Sequence, residues 1–422
     1  MDASEDPNAS GASFARRLVE ARPMVVAALA SHLGDLDAAE EAFADACVAL
    51  TESGAQPDHL AGWLIAVGKR KAIDRFRKRD ARQRADNAAK EIAEGEMPSD
   101  WENVFQLPEA IPDERLRLIF ICCHPALALE ARAALALKVI CGLDVPAIAE
   151  LFLTSEATMF ARITRAKAKI RDARVSFELP PRREWPERVE AVLLALELAY
   201  TSAYSDAGGS RAGNKGGELA DEVERLTTML AELLPEDPEA LGLAALVSLA
   251  RSREETRIDG EGAMVPLSQQ DAALWDRARI ERARVWMDAA QNTAKPGPYQ
   301  VLAAIQLTHA RRLFDGEVDW GAIAKLYDAL MVLRPGPMVA LNRALAVAEV
   351  DGPEVALARV EAIEAKGLEN ARPFHVARAR LLERMGRGED ALAALDTALI
   401  RDPPDAERLY LESWRKSVSE RS

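Results

Sequence analysis

The sequence predicts an all-α protein built from more than one domain, and three observations carry that expectation. Apolar residues recur at three- and four-residue spacing along most of the chain and seldom alternate with period two. Ala and Leu are abundant while aromatic residues are only 5% of the total, which suits packed helices better than sheets. At 422 residues the chain exceeds one ordinary domain, so two or three are expected, each large enough to bury a core. The expected layout is two small helical modules, the second a helix-turn-helix, followed by a helical repeat domain.

Residues 1–13, MDASEDPNASGAS, are acidic and polar with no apolar core, and read as a disordered start. The first folded element begins near Phe14, where Leu18, Val25, Val26, Leu29 and Leu33 form a helical stripe with Pro23 near its start. After Gly34 the segment DLDAAEEAFADACVAL (35–50) opens with Asp35 or Asp37 as a cap. It turns Glu40, Glu41 and Asp45 outward and Phe43 and Val48 inward. Such an acidic face is either a soluble surface or the seat of a basic partner.

Pro57 and Asp58 open the next helix, HLAGWLIAVGKRKAIDRFRKRDARQR, whose first half is apolar through Leu60, Trp63, Leu64 and Val67. Its second half carries Lys69, Arg70, Lys71, Arg75, Arg77, Lys78, Arg79, Arg82 and Arg84 against Asp74 and Asp80, with Phe76 interleaved. So one-sided a balance favours phosphate contact over a solvated face. Trp63 by itself reads as a core side chain. This first module spans residues 14–84. From 85 to 112 the pattern dissolves into acidic, proline-containing text, including EIAEGEMPSD and QLPEAIPDE, which reads as a linker.

Residues 113–178 form the second module. Two core helices lie in LRLIFICCHPALALEARAALALKVICGL, the later one ended by Gly142. Asp144 then caps a short helix with Ile148, Leu151 and Phe152 at helical spacing, and Leu153, Thr154 and Ser155 make a corner. On the helix that follows, Met159, Ile163 and Ile170 share one face. Arg162, Arg165, Lys167, Lys169, Arg171 and Arg174 occupy the others against Asp172. This is the layout of a helix-turn-helix whose second helix enters a DNA major groove; the plain alternative is an amphipathic helix with a solvated basic face. Positions 157, 160, 161, 164, 165 and 168 face away from Met159 and Ile163, so Phe160, Thr164 and Arg165 should meet base edges. Arg162, Lys167 and Lys169 flank that face and suit phosphate.

The formal charge of -14 argues against a protein that coats nucleic acid indiscriminately, and its distribution matters more. Residues 1–185 hold 25 Lys+Arg and 29 Asp+Glu, so the remainder is net -10 and any DNA-facing surface belongs in the front half. Four cysteines in a chain this long make no disulfide framework, which points to a reducing compartment. A zinc site from Cys122, Cys123, His124 and Cys141 is the weaker reading, because adjacent helical cysteines diverge by about 100° and no CxxC pair exists. Core cysteines are expected instead, with no metal and no cofactor. No run of about 18 apolar residues occurs, so the expectation is a cytoplasmic protein, neither secreted nor membrane-spanning. Five scattered histidines and the lack of a nucleophile motif speak against an enzyme.

Residues 185–422 read as the helical repeat domain. SDAGGSRAGNKGG fails as a phosphate loop, because no Lys-Ser/Thr pair follows Gly213 and no strand precedes it; a loop is expected there. Further on, Ile323, Tyr327, Leu330 and Pro335 are separated by 4, 3 and 5 residues, and so are Ala356, Val360, Ile363 and Leu368, and Ala391, Leu395, Ala398 and Pro403. Val223, Thr227, Leu230 and Pro235 give an earlier copy. This is the second-helix spacing of tetratricopeptide repeats, with residues 251–270 interrupting it.

Residues 14 to about 178 resemble a bacterial RNA polymerase sigma factor of the extracytoplasmic-function group. The likeness rests on DLDAAEEAF, HLAGWLIAVGKRKAIDRFRKR, DERLRLIF and LALKVICGLDVPAIAELFLTSEATMFARITRAKAKIR. The back half resembles the repeat-bearing extension of the ECF42-type subgroup, although AYTSAYSDAGG departs from that subgroup's Asn-Glu-Gly-Tyr run. The resemblance implies core RNA polymerase and promoter DNA as partners. Asp35, Asp37, Glu40, Glu41 and Phe43 would dock on polymerase. Trp63, Lys69, Arg70, Lys71, Arg75, Arg77 and Lys78 would melt and hold the -10 element. Phe160, Thr164, Arg165, Arg162, Lys167 and Lys169 would serve the -35 element. Many members place Asn where this chain has Gly68 or Lys69, in the pocket for a flipped base. The repeat domain would regulate these modules, through contact with them or through a protein partner. The alternative is a ligand- or partner-sensing helix-turn-helix regulator that binds its operator without polymerase.

Overall fold

The computed structural model describes residues 7–55, 57–86, 114–152, 154–173, 180–206, 215–292, 296–363 and 371–421. Among them every regular element is helical, and Ile258 and Met264 form an isolated bridge without a strand, so the all-α expectation holds. The chain forms two compact units, Met1–Ala195 and Leu196–Ser422.

The first unit begins with α1 (Pro7–Leu33), α2 (Leu36–Ser53) and α3 (Leu60–Asp86), which pack on one another. Helix α1 reaches back to Pro7, ahead of the apolar stripe that starts near Phe14. Asp35 caps α2 by accepting the N–H of Asp37 at 2.7 Å and of Ala38 at 3.1 Å, and Gly54 ends it in the left-handed region at φ 59°. The buried line of α2 is Ala39, Ala42, Ala46 and Leu50, at the three- and four-residue spacing of one helix face. Val48 falls off that line and is 56% exposed, which corrects the expectation that it points inward. The small residues let α3 approach closely. A Cβ built on Gly68 would meet Leu29 Cδ1 at 3.0 Å and the Ala42 carbonyl at 3.2 Å, so glycine is required by contact with α1 and α2.

The same unit continues with α4 (Glu114–Cys122), α5 (Leu129–Val139), α6 (Val145–Leu151) and α7 (Glu156–Asp172), with α4 packed against α1. The linker expected at 85–112 lies outside the described residues apart from Ala85 and Asp86, the last two of α3. Phe120, Ile121, Cys122 and Cys123 are buried in α4 and the turn after it, with Leu135 and Leu137 of α5. Burial pushes the Cys123 thiol up to about 12 and Cys122 well above the usual thiol range, so both stay protonated as core side chains. Arg132 fastens the α4–α5 turn by donating to the Leu127 and Pro125 carbonyls, and reaches the Glu187 carbonyl at 2.9 Å.

Helix α8 (Pro186–Asp206) contains the boundary between the units, at Ala195 and Leu196, inside the stretch expected to open the repeat domain. Its start is fixed in the first unit. Trp185 packs on Phe120 at 5.2 Å between ring centres, and buried Arg188 donates to the Phe120 carbonyl at 3.1 Å.

The second unit contains α9 (Lys215–Leu233), α10 (Pro238–Arg251), α11 (Arg277–Gln291), α12 (Pro298–Ala310) and α13 (Arg312–Asp315). It continues with α14 (Trp320–Leu333), α15 (Pro337–Ala348), α16 (Pro353–Glu361), α17 (Arg372–Arg384), α18 (Gly388–Leu399) and α19 (Asp405–Arg421). From α14 onward each helix packs chiefly on the next, the arrangement through which helical arrays bury their faces. Val223, Leu230, Ile323, Leu330, Ala356, Val360, Ala391, Leu395 and Ala398, all members of the recurring spacing, are at most 1% exposed. The interruption at 251–270 is organised around Arg312, which donates to the carbonyls of Leu267, Ser268 and Gln270. Nearby, Arg251, Arg279 and Arg282 converge on the nearly buried Glu224.

Candidate nucleic-acid interface

The corner between α6 and α7 is set by its caps. Asp144 Oδ1 accepts the Ala147 N–H at 2.9 Å, with Pro146 in the first turn of α6. Ser155 Oγ accepts the Thr158 N–H at 3.3 Å, and the Thr154 N–H donates to the Ala149 carbonyl at 3.0 Å to close the corner. Ile148 and Ala149 of α6 and Met159, Ile163, Ala166 and Ile170 of α7 are buried. The periodicity of those four residues fixes how α7 is rotated. Phe160, Thr164 and Arg165 consequently point away from the protein, with Phe160 63% exposed. An aromatic ring held that far into water on a basic helix is a feature that ligand contact would explain better than folding.

The flanking cations differ among themselves. Lys169 is exposed. Arg162 pairs with Glu130 of α5 at 3.0 Å and lies over the Phe152 ring at 5.7 Å, so it helps hold α7 on its module. Arg165 makes a hydrogen bond to the Ala161 carbonyl of its own helix at 3.1 Å. Lys167 turns the other way, toward α2. Its ammonium donates to Asp37 at 2.8 Å and Glu40 at 2.6 Å, with the side chain only 13% exposed. Burial works against the ammonium, but the hydrogen bonds to the two carboxylates outweigh it and hold the Lys167 pKa above the ordinary lysine value.

On α3, Arg70, Lys71 and Arg77 are exposed beside half-exposed Phe76, with Asp74 the one exposed acid among them in the described span; the side chain of Lys78, the remaining cation expected at the -10 element, lies outside the described residues. Three other predicted residues sit differently. Trp63 is partly buried. Lys69 is partly buried with its Nζ 2.6 Å from His32 Nε2, and burial lowers its pKa. Arg75 is committed to Glu41 and Asp45 of α2. Gly68 is buried against α1 and α2, with partly buried Lys69 next to it.

The acidic face of α2 is likewise occupied. Besides capping its helix, Asp35 lies 3.8 Å from Arg171 of α7; Glu40 also receives Arg22 of α1 at 2.8 Å. Phe43 is partly buried. Sequence reasoning found both charged surfaces but missed that they meet. The signal was limited to complementary sign, since nothing in the spacing reveals which lysine of α7 reaches another helix 130 residues away.

Among the described residues no helix is long and apolar enough to cross a membrane. Residues 117–170, which span most of α4 through nearly all of α7, match the family model of sigma-70, region 4. Residues 188–291 match a family of unknown function, DUF6596. The chain is 39% identical over 403 residues to the uncharacterized protein R00370 of Rhizobium meliloti (strain 1021), an alignment that covers 93% of each chain.

Proposed function

We propose that this chain, which belongs to one family with the Rhizobium meliloti protein R00370 and carries a sigma-70 region 4, directs core RNA polymerase to specific promoters. The observation that carries the reading is the rotation of α7. A capped helix-turn-helix in the matched segment buries Met159, Ile163, Ala166 and Ile170 and thereby aims Phe160, Thr164 and Arg165 outward, as major-groove readout requires.

In this reading α7 reads the -35 element through Phe160, Thr164 and Arg165, while Lys169 and Arg162 position the duplex through its phosphates. The basic face of α3, through Arg70, Lys71, Arg77 and Lys78, holds the -10 element, with Lys69, Arg75 and Trp63 behind it. The α2 residues Asp35, Asp37, Glu40, Glu41 and Phe43 dock on polymerase, and the acidic second unit, a stack of repeat-like helices of the extracytoplasmic-function ECF42 type, regulates the first or takes up a protein partner. Binding, melting and positioning account for the whole activity without a catalytic group or cofactor.

The test is reconstitution. Core polymerase supplemented with the full chain should initiate at a small set of start sites that share a -35 and a -10 sequence, read by sequencing the transcripts. A helix-turn-helix regulator would instead bind its operator equally well without polymerase. No association with core polymerase, whatever the DNA affinity, overturns the proposal.

A further inference from the structure

We propose that the acidic face of α2 and the basic side of α7 hold the first unit in a closed form, which withholds polymerase docking until the two helices part. The inference rests on the sigma-factor reading and supplies a regulation for the same surfaces.

Four carboxylates assigned to polymerase docking are engaged within the unit. Asp37 and Glu40 accept from Lys167, Asp35 lies near Arg171, and Glu41 receives Arg75. Lys167 is the centre of this contact. It is 13% exposed and Glu40 22%, so the pair is shielded from the solvent that weakens surface ion pairs. A polymerase surface that takes up an acidic helix must present cations of its own, and those cations compete with Lys167 for the same oxygens. DNA phosphate competes for the lysine in turn. The outward residues Phe160, Thr164 and Arg165 take no part, so the closed form blocks docking and backbone clamping rather than the base-reading surface.

Separation is compatible with the chain's connectivity. Helices α3 and α4 are joined by the 27 residues 87–113, and parting α2 from α7 must also separate α4 from α1 and release Arg22 from the Val139 carbonyl. A closed form favoured about 100-fold would leave about 1% of the protein competent to dock, and would lower the apparent affinity for polymerase by the same factor.

The experiment uses the full chain with spin labels at Val48→Cys on α2 and Glu150→Cys on α6, both exposed positions outside the ion pairs, in a background with Cys47→Ser and Cys141→Ser. Pulsed dipolar distances in the free protein should show the α2–α6 separation of the structure, and core polymerase should replace it with a longer one. Lys167→Glu should populate the longer distance without polymerase and raise affinity for core polymerase at least tenfold. Asp37→Lys in that same chain should restore the short distance. Lys167→Met keeps the aliphatic stem while removing the charge, and should open the unit even if the glutamate variant misfolds.

A long distance in the free wild-type protein, a short one retained in the polymerase complex, or variants that change neither distance nor affinity would each overturn the proposal. If neither wild type nor opened variants associate with core polymerase, the sigma reading falls and the proposal with it. If association is normal but independent of Lys167, the sigma reading stands and the closed form alone is wrong.

Discussion

Replacing Arg165 by alanine separates base readout from every structural role that an α7 residue can have. The side chain is exposed, and its hydrogen bond runs back to Ala161 within the same helix. Stability should therefore change by less than about 0.5 kcal/mol. If Arg165 meets a base edge, its loss costs about 1 to 3 kcal/mol at the cognate -35 sequence, or about 5- to 150-fold in affinity. The same change should cost little on sequences that already lack the preferred base. Lys169→Ala is the control: an exposed phosphate partner should weaken all sequences alike and reduce the salt slope by about 0.9. The assay is fluorescence anisotropy of the holoenzyme on a panel of singly substituted -35 duplexes at two salt concentrations, with thermal melts of each variant alongside. Equal losses for Arg165→Ala on every duplex, or a discriminating loss for Lys169→Ala, would show that the outward face of α7 is not the reading face.

Gly68→Asn should destabilise the first unit by about 1 to 3 kcal/mol, read by chemical denaturation, because the new side chain must displace Leu29 or the Ala42 carbonyl. Trp185→Ala should cost about 3 to 5 kcal/mol by opening a cavity beside Phe120 and freeing the start of α8. Glu224→Ala should destabilise the second unit by about 1 to 3 kcal/mol, since it removes a carboxylate shared by three arginines, although Arg279 keeps Asp276, Arg282 keeps the Ser248 hydroxyl and buried Arg251 keeps Asp221 and Glu254. His309 is held down to about 4 by burial, with Arg253 and Arg312 adding to the effect. The unfolded imidazole takes up a proton near pH 6.5 while the folded one does not, so stability should fall as pH drops from 6.5 toward 4 by up to roughly 3 kcal/mol. His309→Gln should flatten that slope in urea melts at pH 7 and pH 4.5.

Where a residue's place was set by its own helix, the sequence disclosed it. Met159, Ile163 and Ile170 are spaced so that only one rotation of α7 buries all three, and that rotation dictates the outward position of Phe160, Thr164 and Arg165. Asp144 was legible as a cap for the same local reason, whereas the spacing left Asp35 and Asp37 both open at the start of α2 and the structure selects Asp35. The recurring spacing after Val223 identified buried lines of helices that pack on their neighbours. Val48 was misplaced because a bulky apolar residue outweighed three alanines in the pattern, although it is the alanines that allow α2 and α3 to approach.

What the sequence withheld depends on contacts between helices far apart in the chain. Lys167, Lys169 and Arg171 are equivalent in composition and nearly so in spacing, yet one is sequestered by two carboxylates, one is exposed and one lies at the edge of Asp35. Charge pattern reports that a surface can attract an anion; it does not say whether that anion is DNA or another part of the protein. An acidic helix and a basic helix in one chain are therefore evidence for two external partners and, equally, for an internal contact that those partners must displace. Salt distinguishes the two. An internal ion pair shielded to the extent of Lys167 is less sensitive to ionic strength than contacts with phosphate spread over an open groove. Raising salt should thus weaken DNA binding before it opens the unit, and a sigma factor regulated in this way is released by its partner's surface rather than by the medium.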